Sequence, residues 1–163
     1  MINPEQQTRI QRRLIECIQM ADRYFNQTFV APQLLFNQRG NIAGTAHLQK
    51  NIIKLNATLL KDNFEEFMQT VLPHEVAHIV AFQRFNRVKP HGIEWQSIMH
   101  NVFNLPPRVR HKMDTTKTQG KMFDYQCKCG TVKLTVRRHN KVVNKQQIYC
   151  CRKCQQQLIQ ITQ

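Results

Sequence analysis

The chain has 163 residues, of which 41% are hydrophobic, and it carries a formal net charge of +14 at pH 7. A chain of this length can bury one good-sized core and one small additional module. No apolar run approaches the roughly 18 residues of a membrane span, and residues 1–5 lack the features of a secretory signal. We therefore expect a cytoplasmic protein with no membrane partner, whose six cysteines are reduced and whose clustered cysteines bind metal rather than form disulfides.

The first half of the chain predicts a helix, a short β region and a second helical region. Apolar residues recur at helical spacing over residues 4–26, and β-like runs follow at 33–37, 41–48 and 51–55. The next helical pattern contains Pro73, which removes one amide donor. We expect this proline to kink the helix or to restart it just before the following segment.

Residues 74–78 read His-Glu-Val-Ala-His inside an apolar, helix-forming run, 71–85. Because helix positions four apart share one face, His74 and His78 can bind one metal ion together. Glu75 points to the side of that pair, where a carboxylate can act as general base on a water molecule. The pattern is short, but its chemistry is that of a zinc peptidase.

A catalytic zinc site needs a third protein ligand and one open position. His91 follows a polar loop and precedes Gly92, which permits a tight turn, so we favour His91 as the third ligand. Glu94 is the alternative, since a later helix often supplies a carboxylate. That helix has an apolar stripe, consisting of Trp95, Ile98, Met99, Val102 and Phe103.

The positive charge is concentrated near the carboxyl end. Residues 1–107 carry 11 basic and 8 acidic side chains, a net +3, whereas residues 108–163 carry 13 and 2, a net +11. A compact basic module suggests a polyanion partner, nucleic acid first. The alternative is a charged face that only keeps the protein soluble.

The same basic region contains five of the six cysteines. Cys127 and Cys129 form a CxC pair, and Cys151 and Cys154 form a CxxC pair, so the four together predict a zinc ribbon with a closed tetrahedral site. The CxC spacing leaves less room than an ordinary knuckle does. Cys150 could replace Cys151, and the alternative to zinc binding is a small core packed with thiols.

Two segments of the chain, 71–78 and 89–95, together resemble the SprT family, the bacterial relatives of the Spartan metalloprotease domain. The amino-terminal helix, the segment 40–44 and the basic cysteine-rich tail extend the resemblance over nearly the whole length. It implies an α+β, zincin-like domain with a short β-meander, followed by a small β zinc ribbon. It also implies that His74, His78 and His91 bind zinc and that Glu75 is catalytic.

From the residues and the resemblance together, we predict a zincin-like domain at 1–107, a linker at 108–120 and a basic zinc-ribbon domain at 121–163. The expected cofactors are one catalytic Zn²⁺ and a second, structural Zn²⁺. The expected activity is peptide hydrolysis in protein substrates, which the resemblance extends to DNA-associated or DNA-crosslinked proteins. The alternatives are a non-catalytic, DNA-associated regulatory zinc protein and a peptidase unconnected with nucleic acid. The oligomeric state is left open.

Three basic residues of the tail are candidates for nucleic-acid contact. Arg137, Arg138 and Lys141 flank a hairpin tip that we predict after a strand at 131–136. His139 lies at the same tip, where it would be exposed. From such a tip the basic side chains can contact phosphates without disturbing a core, and the binding would show little preference for sequence.

Overall fold

The computed structural model describes residues 2–109 and 120–161, which belong to two compact units. The predicted linker, 108–120, lies largely outside the described residues, so the domain boundaries stay predictions. Within the described ranges, no helix combines the length and the apolar character needed to cross a membrane.

The first unit begins with a long amphipathic helix, α1, from Pro4 to Phe25. Asn3 caps it, because its side-chain oxygen accepts a hydrogen bond from the Gln6 backbone N–H at 2.7 Å. Asn26 ends it in the left-handed region, with φ of 46°. The predicted helix is confirmed, and its buried stripe is Ile10, Leu14, Cys17, Ile18 and Ala21.

A three-stranded sheet follows, formed by β1 (Gln33–Leu35), β2 (Gly44–His47) and β3 (Ile52–Leu55). The strand order is β1-β3-β2, with β1 parallel and β2 antiparallel to β3. The expected β-meander is therefore wrong, since consecutive strands of a meander are antiparallel neighbours. Instead, β3 occupies the centre of a mixed sheet and β2 occupies an edge among the described strands.

Helix α2 (Ala57–Asp62) and the short α3 (Phe64–Glu66) lead through a π-helical turn at Phe67–Val71 into α4 (Leu72–Phe85). The backbone stays helical through this junction. Pro73 lies in the first turn of α4, directly after the π-helical turn, and it lacks the amide donor that would continue the helical hydrogen bonds. The α-helical register therefore restarts just before the histidines, as the proline predicted.

The apolar residues of α4 pack against α1 and the sheet, so this helix runs through the centre of the unit. Helix α5 (Ile93–Ser97) and a π-helical turn at Ile98–Val102 close the core from the other side. All five residues of the predicted second stripe are buried: Trp95, Ile98, Met99, Val102 and Phe103.

The second unit contains three antiparallel strands, β4 (Met122–Cys127), β5 (Gly130–Thr135) and β6 (Ile159–Gln160), in the order β5-β4-β6. The predicted strand at 131–136 corresponds to β5. Strands β4 and β5 form a hairpin whose turn is the CxC segment itself, since Cys127 pairs with Gly130.

The predicted hairpin tip around residues 137–141 is wrong. Residues Val136–Val143 form a helix, α6, which begins directly after β5. His139 explains why the helix lies on the sheet: its ring stacks on Phe123 with centroids 3.5 Å apart, and its Nδ1 lies 3.0 Å from the Tyr125 hydroxyl. The half-buried His139 is thus a packing residue and not an exposed tip residue.

Candidate metal centres

His74 and His78 occupy one face of α4, one turn apart, as their spacing predicted. His74 is buried and His78 is half-buried, and the Nε2 atoms of the two rings are 3.3 Å apart. Since the backbone of α4 is fixed by packing on both sides, the core of the unit holds the two imidazoles in place.

His91 reaches the same point from the loop that follows α4. The Gly92 N–H donates to the Lys89 carbonyl at 2.8 Å, closing a tight turn. A Cβ at residue 92 would lie 2.8 Å from that carbonyl oxygen, so the turn requires glycine. Within the turn His91 adopts φ of 56°, which few residues other than glycine tolerate.

Three imidazole nitrogens converge at this point. The Nε2 atom of His91 lies 3.1 Å from that of His74 and 3.1 Å from that of His78. Tetrahedral zinc with bonds of about 2.0–2.1 Å holds its nitrogen ligands about 3.3 Å apart, so the spacing of the triad fits zinc. Glu94 is not in the group of donor atoms that approach within 4.8 Å of one another.

The charge state of the histidines also suits a metal ion. Burial and, to a smaller extent, the neighbouring His91 lower the pKa of His78 to about 4. Burial lowers the pKa of His91 as well. Both rings are therefore neutral near pH 7 and keep a lone pair for coordination, which a protonated imidazole does not.

Trp95 contacts all three histidines, a role that its place in an apolar stripe did not reveal. It is fully buried, and its ring centroid lies 4.8 Å from that of His74, 5.5 Å from His78 and 4.7 Å from His91. Its indole N–H also donates to the His74 carbonyl at 3.3 Å. The sequence signal for this contact is the short spacing between His91, in the turn before α5, and Trp95, within α5.

Glu75 lies beside the triad and is not one of the converging donors. It is 6% exposed, and burial raises the pKa of its carboxyl from 4.5 to about 7, although a hydrogen bond from the Ala46 backbone N–H opposes the shift. A carboxyl with a pKa near 7 can both accept and release a proton at neutral pH. Its position therefore suits a general base.

The second cluster of donors is in the ribbon unit. The thiols of Cys127, Cys129, Cys151 and Cys154 lie within 4.8 Å of one another, whereas Cys150 is exposed and outside the group. The structure thus brings together the four cysteines that the spacing singled out, including the CxC pair, whose second member lies in the β4–β5 turn.

The electrostatics of these thiols favour a cation among them. Backbone N–H groups of Cys154 and Lys153 lower the pKa of Cys151 to about 6, while a hydrogen bond to Cys154 raises that of Cys129 to about 12. Without a cation, one thiol of the cluster therefore ionises readily only if neighbouring thiols keep their protons. A divalent cation removes this conflict, because all four thiolates can then be stabilised together.

The three basic candidates lie on α6. Arg137 and Arg138 are exposed, while Lys141 is half-buried and its Nζ donates to Gln147 at 3.3 Å. The Arg138 guanidinium lies 5.6 Å from the centre of the Tyr149 ring, a cation–π contact. Tyr125 is fully buried and cannot stack on a base, but Tyr149 remains half-exposed.

An open cavity of about 490 Å³ adjoins the cysteine cluster. Tyr149 and the basic side chains of Arg138, Arg152 and Lys153 line it, and no carboxylate is among the described residues that do so. Residues 120–161 contain a single acidic residue, Asp124, whose Oδ1 atom lies 3.4 Å from the Lys133 Nζ atom in an ion pair. The surface around the cavity is therefore strongly positive.

Comparison with known proteins matches both units to family models. The model of the SprT-like family matches residues 14–111, and that of the SprT-like zinc ribbon domain matches residues 121–162. No solved structure matches the chain.

Three curated relatives named Protein SprT illustrate the similarity. That of Actinobacillus succinogenes is 47% identical over 161 residues, covering 94% of this chain and 95% of the relative. That of Pasteurella multocida is 48% identical over 92% and 91% of the two chains. That of Escherichia coli K12 is 41% identical over 94% and 93%.

Proposed function

Since this chain belongs to the SprT-like family, we propose that it is a zinc-dependent peptidase acting on proteins. One observation carries the proposal above the others. Three imidazoles, those of His74, His78 and His91, converge with their Nε2 atoms 3.1–3.3 Å apart beside a buried carboxyl that is not one of the converging donors. This is the donor set of an HExxH peptidase of the zincin type, with the third ligand supplied by His91.

His74, His78 and His91 would hold the zinc ion. Zinc bound by three protein ligands supplies a Lewis acid with an open position, and it lowers the pKa of a bound water to about 7. Glu75 accepts the proton of the attacking water and returns it to the amine that leaves when the peptide bond breaks. The buried surroundings that raise its pKa also exclude bulk water from this transfer.

The rival proposal is a regulatory zinc protein that does not hydrolyse peptides. Such a protein needs the three histidines, but it has no use for Glu75. Burying a carboxyl against a backbone strand disfavours the folded state at neutral pH, because the charged form is desolvated. A perturbed acid beside a metal site favours catalysis over a purely structural role.

For the ribbon we propose a structural zinc ion bound by the four clustered cysteines. Four thiolates complete the tetrahedral shell of zinc, so this site has no open position for a reaction. Free thiols in this number need a reducing compartment, and we therefore place the protein in the cytoplasm.

We also infer that the ribbon contacts DNA through Arg137, Arg138 and Lys141. The support is electrostatic: nine basic residues and one acidic residue lie in residues 120–161. The half-exposed Tyr149 beside Arg138 adds a ring on which an unpaired base can stack. Binding of DNA by the same chain would direct the peptidase to DNA-associated or DNA-crosslinked proteins. The third candidate function is a peptidase without a nucleic-acid link, which differs from the proposed one only in that its ribbon does not bind DNA.

The decisive experiment compares Glu75→Gln with the matched variant Glu94→Gln in the zinc-loaded protein. Both remove one carboxylate near the metal site, but Glu75 alone is assigned the proton transfer. We expect Glu75→Gln to keep wild-type zinc content and to lose at least about 100-fold in cleavage of an unfolded protein substrate. Glu94→Gln should retain both. The same assay with and without single- and double-stranded DNA separates the DNA-linked peptidase from the DNA-independent one.

Equal turnover by wild type and Glu75→Gln would overturn the assignment of the base. No turnover by fully loaded wild type, with or without DNA, would leave the regulatory zinc protein as the better account.

A further inference from the structure

Glu75 is held against the edge strand β2 at two points. The Ala46 backbone N–H donates a hydrogen bond to its carboxyl. Two residues earlier, Gly44 faces the Glu75 side chain, since alternate residues of a strand present their backbone groups to the same edge. Gly44 and Ala46 together thus form a seat for the carboxyl, which we call the β2 seat.

The seat has no room for a side chain at residue 44. A Cβ placed there would lie 3.0 Å from Glu75 Cγ, 3.2 Å from Glu75 Oε1 and 3.2 Å from Val71 Cγ1. Carbon atoms in favourable contact are about 3.5–4.0 Å apart, so several atoms would have to move by a few tenths of an ångström. Glycine is needed here for the close approach of a side chain, not for its backbone conformation.

The surrounding backbone is fixed, so the Glu75 side chain is what would move. Gly44 pairs with Leu55 in the sheet, and the neighbouring Ala43 carbonyl accepts a hydrogen bond from the Asn56 N–H at 2.8 Å. On the other side, Glu75 belongs to the buried part of α4, whose backbone is packed into the core. Neither element can retreat without breaking these contacts.

We propose that Gly44 is a positioning residue: the absence of its side chain sets where the Glu75 carboxyl lies relative to the three histidines. The inference rests on the proposed function, in which Glu75 is the general base. It goes beyond the HExxH pattern, because the strand that carries Gly44 is 31 positions before Glu75 in the chain.

The test is Gly44→Ala in two backgrounds, wild type and Glu75→Ala. In the zinc-loaded wild type we expect unchanged zinc content, an unchanged KM and a fall in kcat of about tenfold or more, since small displacements of a catalytic group cost this much. A matched control is Gly120→Ala, because a Cβ at Gly120 meets no atom within 4 Å. Val71→Ala, which removes the other crowded atom, should restore part of the lost kcat.

A second readout does not depend on activity. In the wild-type background, Gly44→Ala should lower the Tm through the contact with Glu75. In the Glu75→Ala background the contact is gone, and the same substitution should leave the Tm unchanged or raise it, since alanine suits a strand better than glycine does.

The outcomes distinguish the seat from the proposed function. If Gly44→Ala changes the Tm equally in the two backgrounds, the close contact between residue 44 and Glu75 is contradicted. If the Tm changes differ but kcat is normal in Gly44→Ala, the contact exists and the positioning role is contradicted. If wild type cleaves no substrate, the proposed function fails and the positioning role fails with it. This outcome can be told apart from the first two, because it is seen in the wild type alone, whereas they require a comparison of Gly44→Ala with its parent protein.

Discussion

The two units of this protein place their candidate metal ligands by opposite means. In residues 2–109, 25 buried hydrophobic residues form a core, and the core positions three histidines and a glutamate. In residues 120–161, only five buried residues form the core, and two of them, Cys127 and Cys151, belong to the candidate zinc site itself. The first unit is expected to fold and then bind metal, whereas the second needs metal in order to fold.

Removal of zinc should produce the largest difference between the units. Apparent binding free energies of structural zinc are about 10–16 kcal/mol, and in a unit with a core of only five residues this binding free energy is a large part of the folding free energy. We expect a chelator, or Cys154→Ser, to unfold residues 120–161 while residues 2–109 keep their helical signal. Circular dichroism with amide-resolved NMR would show this. Cys150→Ser, outside the thiol cluster, is the control, and a ribbon that stays folded without metal would contradict the comparison.

The second effect concerns the third ligand of the histidine site. His91→Ala should weaken zinc binding at that site by more than about 100-fold, since losing even a residue that only hydrogen-bonds to a metal ligand costs 10–100-fold. The fold should persist, because His91 lies on a loop and outside the core cluster. Competition with a chromophoric chelator measures the affinity. Glu94→Ala is the comparison variant. If it loses more zinc affinity than His91→Ala does, Glu94 and not His91 is the third ligand.

A third difference between the units is their affinity for DNA. Replacing Arg137, Arg138 and Lys141 by glutamine should reduce the slope of log affinity against log salt by about two on single-stranded DNA and by nearly three on double-stranded DNA, as expected for the loss of three phosphate contacts. Zinc content should not change, because zinc ligands in proteins are Cys, His, Asp and Glu side chains and the four clustered cysteines are left intact. Arg9, Arg12 and Arg23 of α1 provide a matched triple variant. A wild type with no salt-dependent DNA affinity would remove the nucleic-acid link.

The fourth prediction is a pH dependence that only the first unit should show. The folded metal-free protein holds the Glu75 pKa near 7, above its usual 4.5, so folding favours the protonated carboxyl. Stability from this group is therefore present at low pH and is lost as the pH rises from 4.5 to about 7. Relative to Glu75→Gln, metal-free wild type should lose roughly 3 kcal/mol over that window. Urea unfolding at several pH values in this window measures the free energy of unfolding of both proteins. If the two free energies change with pH in parallel, the raised pKa of Glu75 is contradicted.

The smallest expected effect tests the contact of Trp95 with the histidines. Trp95→Phe keeps an aromatic ring but loses the N–H donated to the His74 carbonyl. We expect a loss of about 1 kcal/mol in stability and about tenfold in zinc affinity at the histidine site. Phe29→Leu, a core substitution next to Phe25, should lower stability without changing zinc affinity. If both variants alter zinc affinity equally, Trp95 acts only as a core residue.

Much of the candidate chemistry follows from short-range spacing in the sequence. His74 and His78 share a helix face wherever the helix forms, because their separation of four residues matches the helical period. The stripes of α1 and of the helix after His91 follow from the same periodicity, and the four clustered cysteines follow from their pairing. The helix faces need one local element each, and the two close cysteine pairs can be recognised separately, so local patterns were sufficient to predict these features.

The tertiary structure decided the contacts between distant elements. The mixed order of the first sheet, the seat of Glu75 against Gly44 and the contact of Trp95 with three histidines each join elements far apart in the chain. The sequence predicted a hairpin tip around residues 137–141, where the structure instead forms the helix Val136–Val143, whose His139 stacks on Phe123. The turn that closes between Lys89 and Gly92 similarly brings His91, and not Glu94, to the other histidines. Local periodicity contains no information on such pairings, because they depend on which surfaces the whole chain buries together.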